Sequence, residues 1–180
     1  MSAISTSIHF RARDQDLVCS DFMALGHRAY VFPRENDWTT AVSDGDSEED
    51  VRSVAQRVGE NPVARYSYAE DFYWSMSVFV GANTLLQYLC DWSAPGEAIA
   101  VSGADVSRVL EVCGDLVSTE ERVELVSLLR PANKTQLFKA KPYIRVPKIL
   151  RLEWYDGLSF EALDAEPDWA LSQLPGLKRV

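Results

Sequence analysis

The stretch from Val63 to Trp92, VARYSYAEDFYWSMSVFVGANTLLQYLCDW, limits what this chain can become more than any other part of it. Phe72, Trp74, Met76, Val78 and Val80 alternate with Tyr73, Ser75, Ser77 and Phe79, the two-residue period of a half-buried strand. Gly81-Ala82-Asn83 supplies a turn in which Gly and Asn tolerate positive φ, and Thr84 to Asp91 returns with Leu86, Tyr88 and Cys90 on one side. With Val63 to Ala69 ahead of this hairpin, the stretch reads as three successive strands. One of their faces needs a cover.

The residues before it supply helices for that purpose. Ile4 to Ala12 alternates as a strand, and Asp14 opens a helix with Leu17, Val18, Phe22 and Leu25 on one face and Gly26 as its left-handed stop. Arg28 to Pro33 and Trp38 to Ser43 read as strands joined at Asn36-Asp37. Ser47 and Asp50 mark the start of a second helix, with Val51, Val54, Ala55 and Val58 on its apolar face and Gly59 at its end. The expected class is therefore α+β, a ferredoxin-like βαββαβ sheet extended at one edge by the Phe72 to Asp91 hairpin.

Texture changes at Pro95-Gly96, after which the period is helical. Ser102 and Asp105 precede Val106, Val109, Leu110 and Cys113, and Ser118 with Glu121 forms a capping box before Val123, Leu125, Val126, Leu128 and Leu129. Lys134 to Ala140 is a further helix. Pro142 and Pro147 make the path beyond it irregular, with Pro147 opening no more than a short turn. The organisation expected is a sheet domain over 1–94, a helical subdomain packed on it over 95–165, and a loosely ordered tail over 166–180.

Trp38 to Ser43, the acidic Ser47-Glu48-Glu49-Asp50, Asp71 to Gly81 and LRLEWYDGLSFEAL from Leu150 to Leu163 together resemble a group of small acidic bacterial α+β proteins. Shared features are a strand Trp before an acidic helix start, an Asp before a central strand, and a Leu-rich turn ending in a Ser-aromatic pair. The resemblance implies a fold and brings no activity, cofactor or catalytic residue with it.

Charge narrows the partners. The 180 residues carry a net charge of −9, which disfavours nucleic acid as a general partner. Arg130, Lys134, Lys139, Lys141, Arg145, Lys148 and Arg151 lie in a stretch free of Asp and Glu, which leaves the remainder of the chain at −16. Phe138 and Tyr143 in that basic stretch are what single-stranded nucleic acid would ask for, but solvated helix faces beside the protein's own acidic surface explain it more simply. Cys19, Cys90 and Cys113 are isolated within apolar patterns, so neither a disulfide framework nor a zinc site is expected, and a reducing cytoplasm fits. No apolar run suits an export signal or a membrane span.

Candidate chemistry is sparse. Asp44, Asp46 and Glu48 occupy the first, third and fifth places of a calcium loop, yet Glu49 replaces the turn glycine and Ala55 the bidentate Glu, so no metal is expected there. His9 and His27 have no nucleophile motif nearby, and a Cys19–His27 dyad competes with a buried structural cysteine. Glu70 and Asp71 are adjacent, which suits a turn better than a glycosidase pair. No glycine-rich phosphate loop is present, and no cofactor is expected.

These features point to a non-enzymatic cytoplasmic binding protein of the immunity or inhibitor type. It would meet a basic protein partner through an acidic and aromatic face that includes Asp44, Asp46, Glu48, Glu49 and Asp50. The alternatives are a hydrolase or transferase with a scattered site, and a small-ligand-binding or self-associating regulatory domain.

Overall fold

A computed structural model describes residues 4–113, 115–154 and 158–180, with the backbone only for Ile4, Val106, Val109, Val112 and Cys113. Three of the four apolar side chains expected on the helix after Asp105, those of Val106, Val109 and Cys113, therefore lie outside the described residues. So does the centre of the Leu150 to Leu163 run, residues 155–157.

The first part of the chain runs β1 (Ile4–Arg11), α1 (Gln15–Leu25), β2 (Ala29–Val31), β3 (Trp38–Ser43), α2 (Glu48–Val58), β4 (Val63–Ala69), β5 (Tyr73–Val80) and β6 (Asn83–Asp91). The remainder adds β7 (Ala100–Ser102), α3 (Val106–Cys113), α4 (Thr119–Leu128), α5 (Lys134–Ala140), α6 (Pro142–Ile149), α7 (Phe160–Ala165), α8 (Pro167–Gln173) and β8 (Lys178–Arg179). All strands join one antiparallel sheet in the order β7-β6-β5-β4-β1-β3-β2-β8. The α+β class is as expected. The order of the whole sheet departs from the expected ferredoxin-like sheet with an edge hairpin, because β7 and β8 from the C-terminal half extend both edges. Strands of three and two residues are too short to show a period in sequence.

Both faces of the sheet are covered. On one, Ile8, Phe10, Ala41 and Val63 pack under Val18 and Phe22 of α1 and Val51 and Val54 of α2. On the other, Trp38, Tyr66, Trp74, Met76 and Tyr88 lie beneath Leu125, Leu128, Leu137, Val146 and Ile149. Beside them Tyr30, Phe32 and Val42 meet Phe160, Leu163, Ala170 and Leu177. Alternation therefore does not separate wet from dry faces: every residue of β3 is buried, and on β5 so are both Trp74 and the opposite-facing Phe79. On α1 the packed residues are Val18, Cys19 and Phe22, while Leu17 and Leu25 turn outward.

Three elements depart from expectation in the C-terminal part. The tail is ordered, because Ala170 and Leu177 bury against Tyr30 and Phe32, and Lys178 and Arg179 pair with Val31 and Tyr30. A continuous helix α6 runs through Pro147, which cannot donate to the carbonyl of Tyr143 four residues earlier. The buried Tyr66 hydroxyl donates to that carbonyl instead, so a side chain from the sheet completes the helix. The capping box at Ser118 and Glu121 forms as expected, yet Val123 and Val126 face outward and only Leu125 and Leu128 of α4 are buried. Among the described residues no helix is long and apolar enough to cross a membrane.

Trp74 is fully buried, with ring centroids 4.5 Å from Tyr88 and 6.0 Å from Tyr66. Its replacement by Ala is expected to cost about 3 to 5 kcal/mol of folding free energy, read from chemical denaturation. An unchanged midpoint would remove the ring from the core.

Candidate functional site

Strand register brings distant residues together at the end of the sheet where β4 meets β5. Ala69 pairs with Tyr73, so Glu70, Asp71 and Phe72 form a tight turn, and the Trp92 amide donates to the Phe72 carbonyl at 2.8 Å. The loop after β6 then holds the start of α5. Lys134 N donates to the Glu97 carbonyl at 3.2 Å, and the Glu97 carboxylate accepts from Thr135 N and Oγ1 at 3.1 and 3.0 Å. Asn133 caps the helix by accepting from Gln136 N at 2.9 Å. Phe138 and Tyr143 are thereby carried over the turn.

An open cleft of about 500 Å³ results, lined by Tyr68, Glu70, Asp71, Trp92, Lys134, Phe138 and Tyr143 among others. Tyr68 and Tyr143 stack at 4.8 Å with an 18° interplanar angle, and Phe138 meets Trp92 edge to face at 6.1 Å. Burial raises the Tyr143 hydroxyl pKa, the Glu70 carboxylate adds to the rise, and a hydrogen bond with Tyr68 opposes it. Lys134 directs its ammonium to the Ala94 carbonyl. Ring faces beside carboxylates suit capture of a partner group. Nothing periodic in the sequence announces this cleft; only the register and the α5 anchor create it.

The acidic segment between β3 and α2 sits elsewhere and is largely engaged within the chain. Asp44 accepts from Arg28 N at 2.9 Å and Arg28 Nε at 3.0 Å, and lies 3.9 Å from His27 Nδ1. Asp46 is half-buried, and burial raises its pKa against the opposing pull of the Arg65 guanidinium and a hydrogen bond from Thr6. Glu48 accepts from Gln87 Nε2 at 2.8 Å, and Asp50 takes the Ser47 hydroxyl and approaches His27 Nε2 at 3.7 Å. Glu49 is exposed. His27 thus belongs with Asp44 and Asp50, while Cys19 is buried on the packed face of α1 with a thiol pKa raised by that burial. The structure does not form the dyad considered from sequence. Part of the basic stretch is likewise engaged within the chain: Arg151 reaches Glu121 at 2.8 Å, Arg145 pairs with Glu124, and Arg130 donates to the Ala104 carbonyl.

A hydrogen-bond chain that sequence did not reveal crosses the middle of the sheet. Thr40 Oγ1 donates its one proton to the Glu153 carbonyl at 3.0 Å, so it must accept from His9 Nδ1, also at 3.0 Å. That fixes the proton on Nδ1. Nε2 is left to accept from the Ser7 hydroxyl at 2.9 Å. A hydroxyl on an imidazole held by a third group has the outline of a nucleophile and base. Ser7 and His9 are 1 % and 0 % exposed, however, so the chain pins β1 to β3 rather than meeting a substrate.

Burial lowers the His9 pKa to about 3. The unfolded chain, with an imidazole near 6.5, binds this proton first, so stability is present at neutral pH and lost as pH falls from 6.5 toward about 3. The slope attributable to His9 is at most about 1.4 kcal/mol per pH unit. Denaturation of wild type and His9→Gln across this range is expected to show the stability difference narrowing as pH falls. A constant difference would mean that His9 takes up its proton as readily in the folded protein as in the unfolded chain.

No protein-family model, curated protein or solved structure matches this chain.

Proposed function

We propose that this chain is a non-enzymatic binding protein, of the immunity or inhibitor type, that engages a basic protein partner in a reducing cytoplasm. The observation that carries the reading is the cleft at the β4–β5 turn, where the Glu70 and Asp71 carboxylates border exposed aromatic surface. Phe138 in the cleft is 44 % exposed and Phe72 beside it 46 %, the kind of aromatic anchor that loses water on docking. A net charge of −9 would steer a basic partner toward such a surface before contact. Buried free thiols at Cys19 and Cys90 accord with a reducing compartment.

Asp44, Asp46, Glu48, Glu49 and Asp50 enter this reading as a second, steering patch. Their internal partners reduce what they can offer, and Glu49 is the member most available to a partner. The order β4-β1-β3-β2 within the larger sheet supports reading residues 4–69 as a ferredoxin-like unit, which holds this acidic segment and contributes Tyr68 to the cleft.

A photo-crosslinking amino acid in place of Phe138 is expected to join the chain to a protein with a basic contact surface. With the purified pair, Glu70→Lys combined with Asp71→Lys is expected to slow association at low salt by about tenfold or more, and to weaken its salt dependence. Asp46→Lys with Glu49→Lys tests the second patch by the same measurement. Association unchanged in both double variants would end the proposal, and turnover of a substrate held in the cleft would replace it with the hydrolase or transferase reading.

A further inference from the structure

We infer that the cleft at the β4–β5 turn takes the guanidinium of an arginine side chain presented by the partner. The inference rests on the partner-binding reading and names the group recognised. Its first support is the chain's own practice. Arg28 lies 4.9 Å over the Phe160 ring while bound to Asp44 and Asp164 at 3.0 Å. Arg179 lies 5.7 Å over Tyr30 and 2.7 Å from Asp164, and Arg52 lies 5.3 Å over Phe79 and 3.8 Å from Glu48. In all three cases a guanidinium lies over an aromatic face and pairs with a carboxylate, and lysine is used in none of them.

Among the described residues, the lining of the cleft repeats the aromatic and acidic parts of that arrangement and includes no arginine. Phe138 offers a half-exposed ring, Tyr68, Trp92 and Tyr143 form the stacked wall behind it, and Glu70 and Asp71 stand on the exposed turn. Its lining includes one cation, Lys134, whose ammonium is turned to the Ala94 carbonyl. A guanidinium is the better fit than an ammonium because it is planar and weakly hydrated. It can stack on a ring while its edge donates to carboxylates. About 500 Å³ of open space accommodates the side chain with the peptide that carries it.

The test uses the ¹⁵N-labelled full chain and three short peptides, acetyl-Gly-Arg-Gly-amide and its citrulline and lysine counterparts, with the assigned Trp92 indole and Phe138 amide resonances as reporters. The arginine peptide is expected to shift both resonances saturably. Citrulline, which keeps the shape and loses the charge, is expected to bind about tenfold more weakly or not at all, and lysine severalfold more weakly. Glu70→Gln with Asp71→Asn, an isosteric change on an exposed turn, is expected to weaken the arginine peptide about tenfold. Equal binding of citrulline or lysine overturns the inference, as does a shift of the same resonances by chitotriose with the arginine peptide silent, which would make the cleft a carbohydrate site. The two readings fail separately. A partner that docks at the cleft while the arginine peptide is silent sinks the guanidinium and leaves the partner. An arginine peptide that binds while Glu70→Lys with Asp71→Lys leaves partner association unchanged does the reverse.

Discussion

Burial of the central strand on both sides is the constraint from which the rest of this structure follows. β1 lies between β3 and β4 with Ile8 and Phe10 under the first two helices, and its other row, Ser5, Ser7 and His9, is buried as well. A polar row in a dry interior must find partners, since each unpaired group costs about 1 to 3 kcal/mol. The chain from Ser7 through His9 and Thr40 to the Glu153 carbonyl answers that demand, and it fixes where the segment after α6 crosses the sheet. Tyr66 acts likewise by serving the carbonyl that Pro147 leaves open. The helical half is thus keyed to the sheet by polar contacts at defined positions, while apolar area supplies the bulk of the attraction.

Much of the sheet was legible because its strands are long and its turns carry recognisable residues. The β4, β5 and β6 stretch, the Ser47 cap with Gly59 as stop, and the Ser118 capping box all follow from local chemistry that the rest of the fold does not override. Local patterns fail where a second layer decides. Leu17 and Leu25 have the spacing of a buried face, yet the neighbouring Val18, Cys19 and Phe22 take the core. Nor does a two-residue period reveal whether the polar side of a strand faces water or another layer. The ordered tail is a further case: its prolines and glycine argue for looseness, and only contact with Tyr30 and Phe32 orders it.

The candidate site was less legible than the fold, for a related reason. Its parts were visible separately: Glu70 and Asp71 as a turn, Trp92 as the end of a strand, Phe138 and Tyr143 as aromatics in a basic stretch. Their meeting depends on the Glu97 contacts that seat α5 above the turn, a long-range placement that spacing does not encode. The acidic segment shows the opposite. It is conspicuous in sequence because its charges are consecutive, and in the fold Asp44, Asp46, Glu48 and Asp50 each find a partner on another element or at the helix cap.

The two short strands that end the sheet bear on how the protein survives at high concentration. A wide antiparallel sheet normally exposes a row of unpaired amides and carbonyls at each rim, and such rows recruit strands from other molecules. Here β8 carries Lys178 and Arg179, whose charges are held by Asp16 and Asp164, so an approaching strand meets a short, ionic border. At the opposite rim β7 stops after three residues, and Gly103 turns the chain so tightly that a methyl group there would lie 1.8 Å from the Gln87 carbonyl oxygen. The outermost strand at each rim is thus only two or three residues long, the brief kind of border by which antiparallel sheets limit edge-to-edge pairing, although β7 covers β6 only from Leu89 to Asp91.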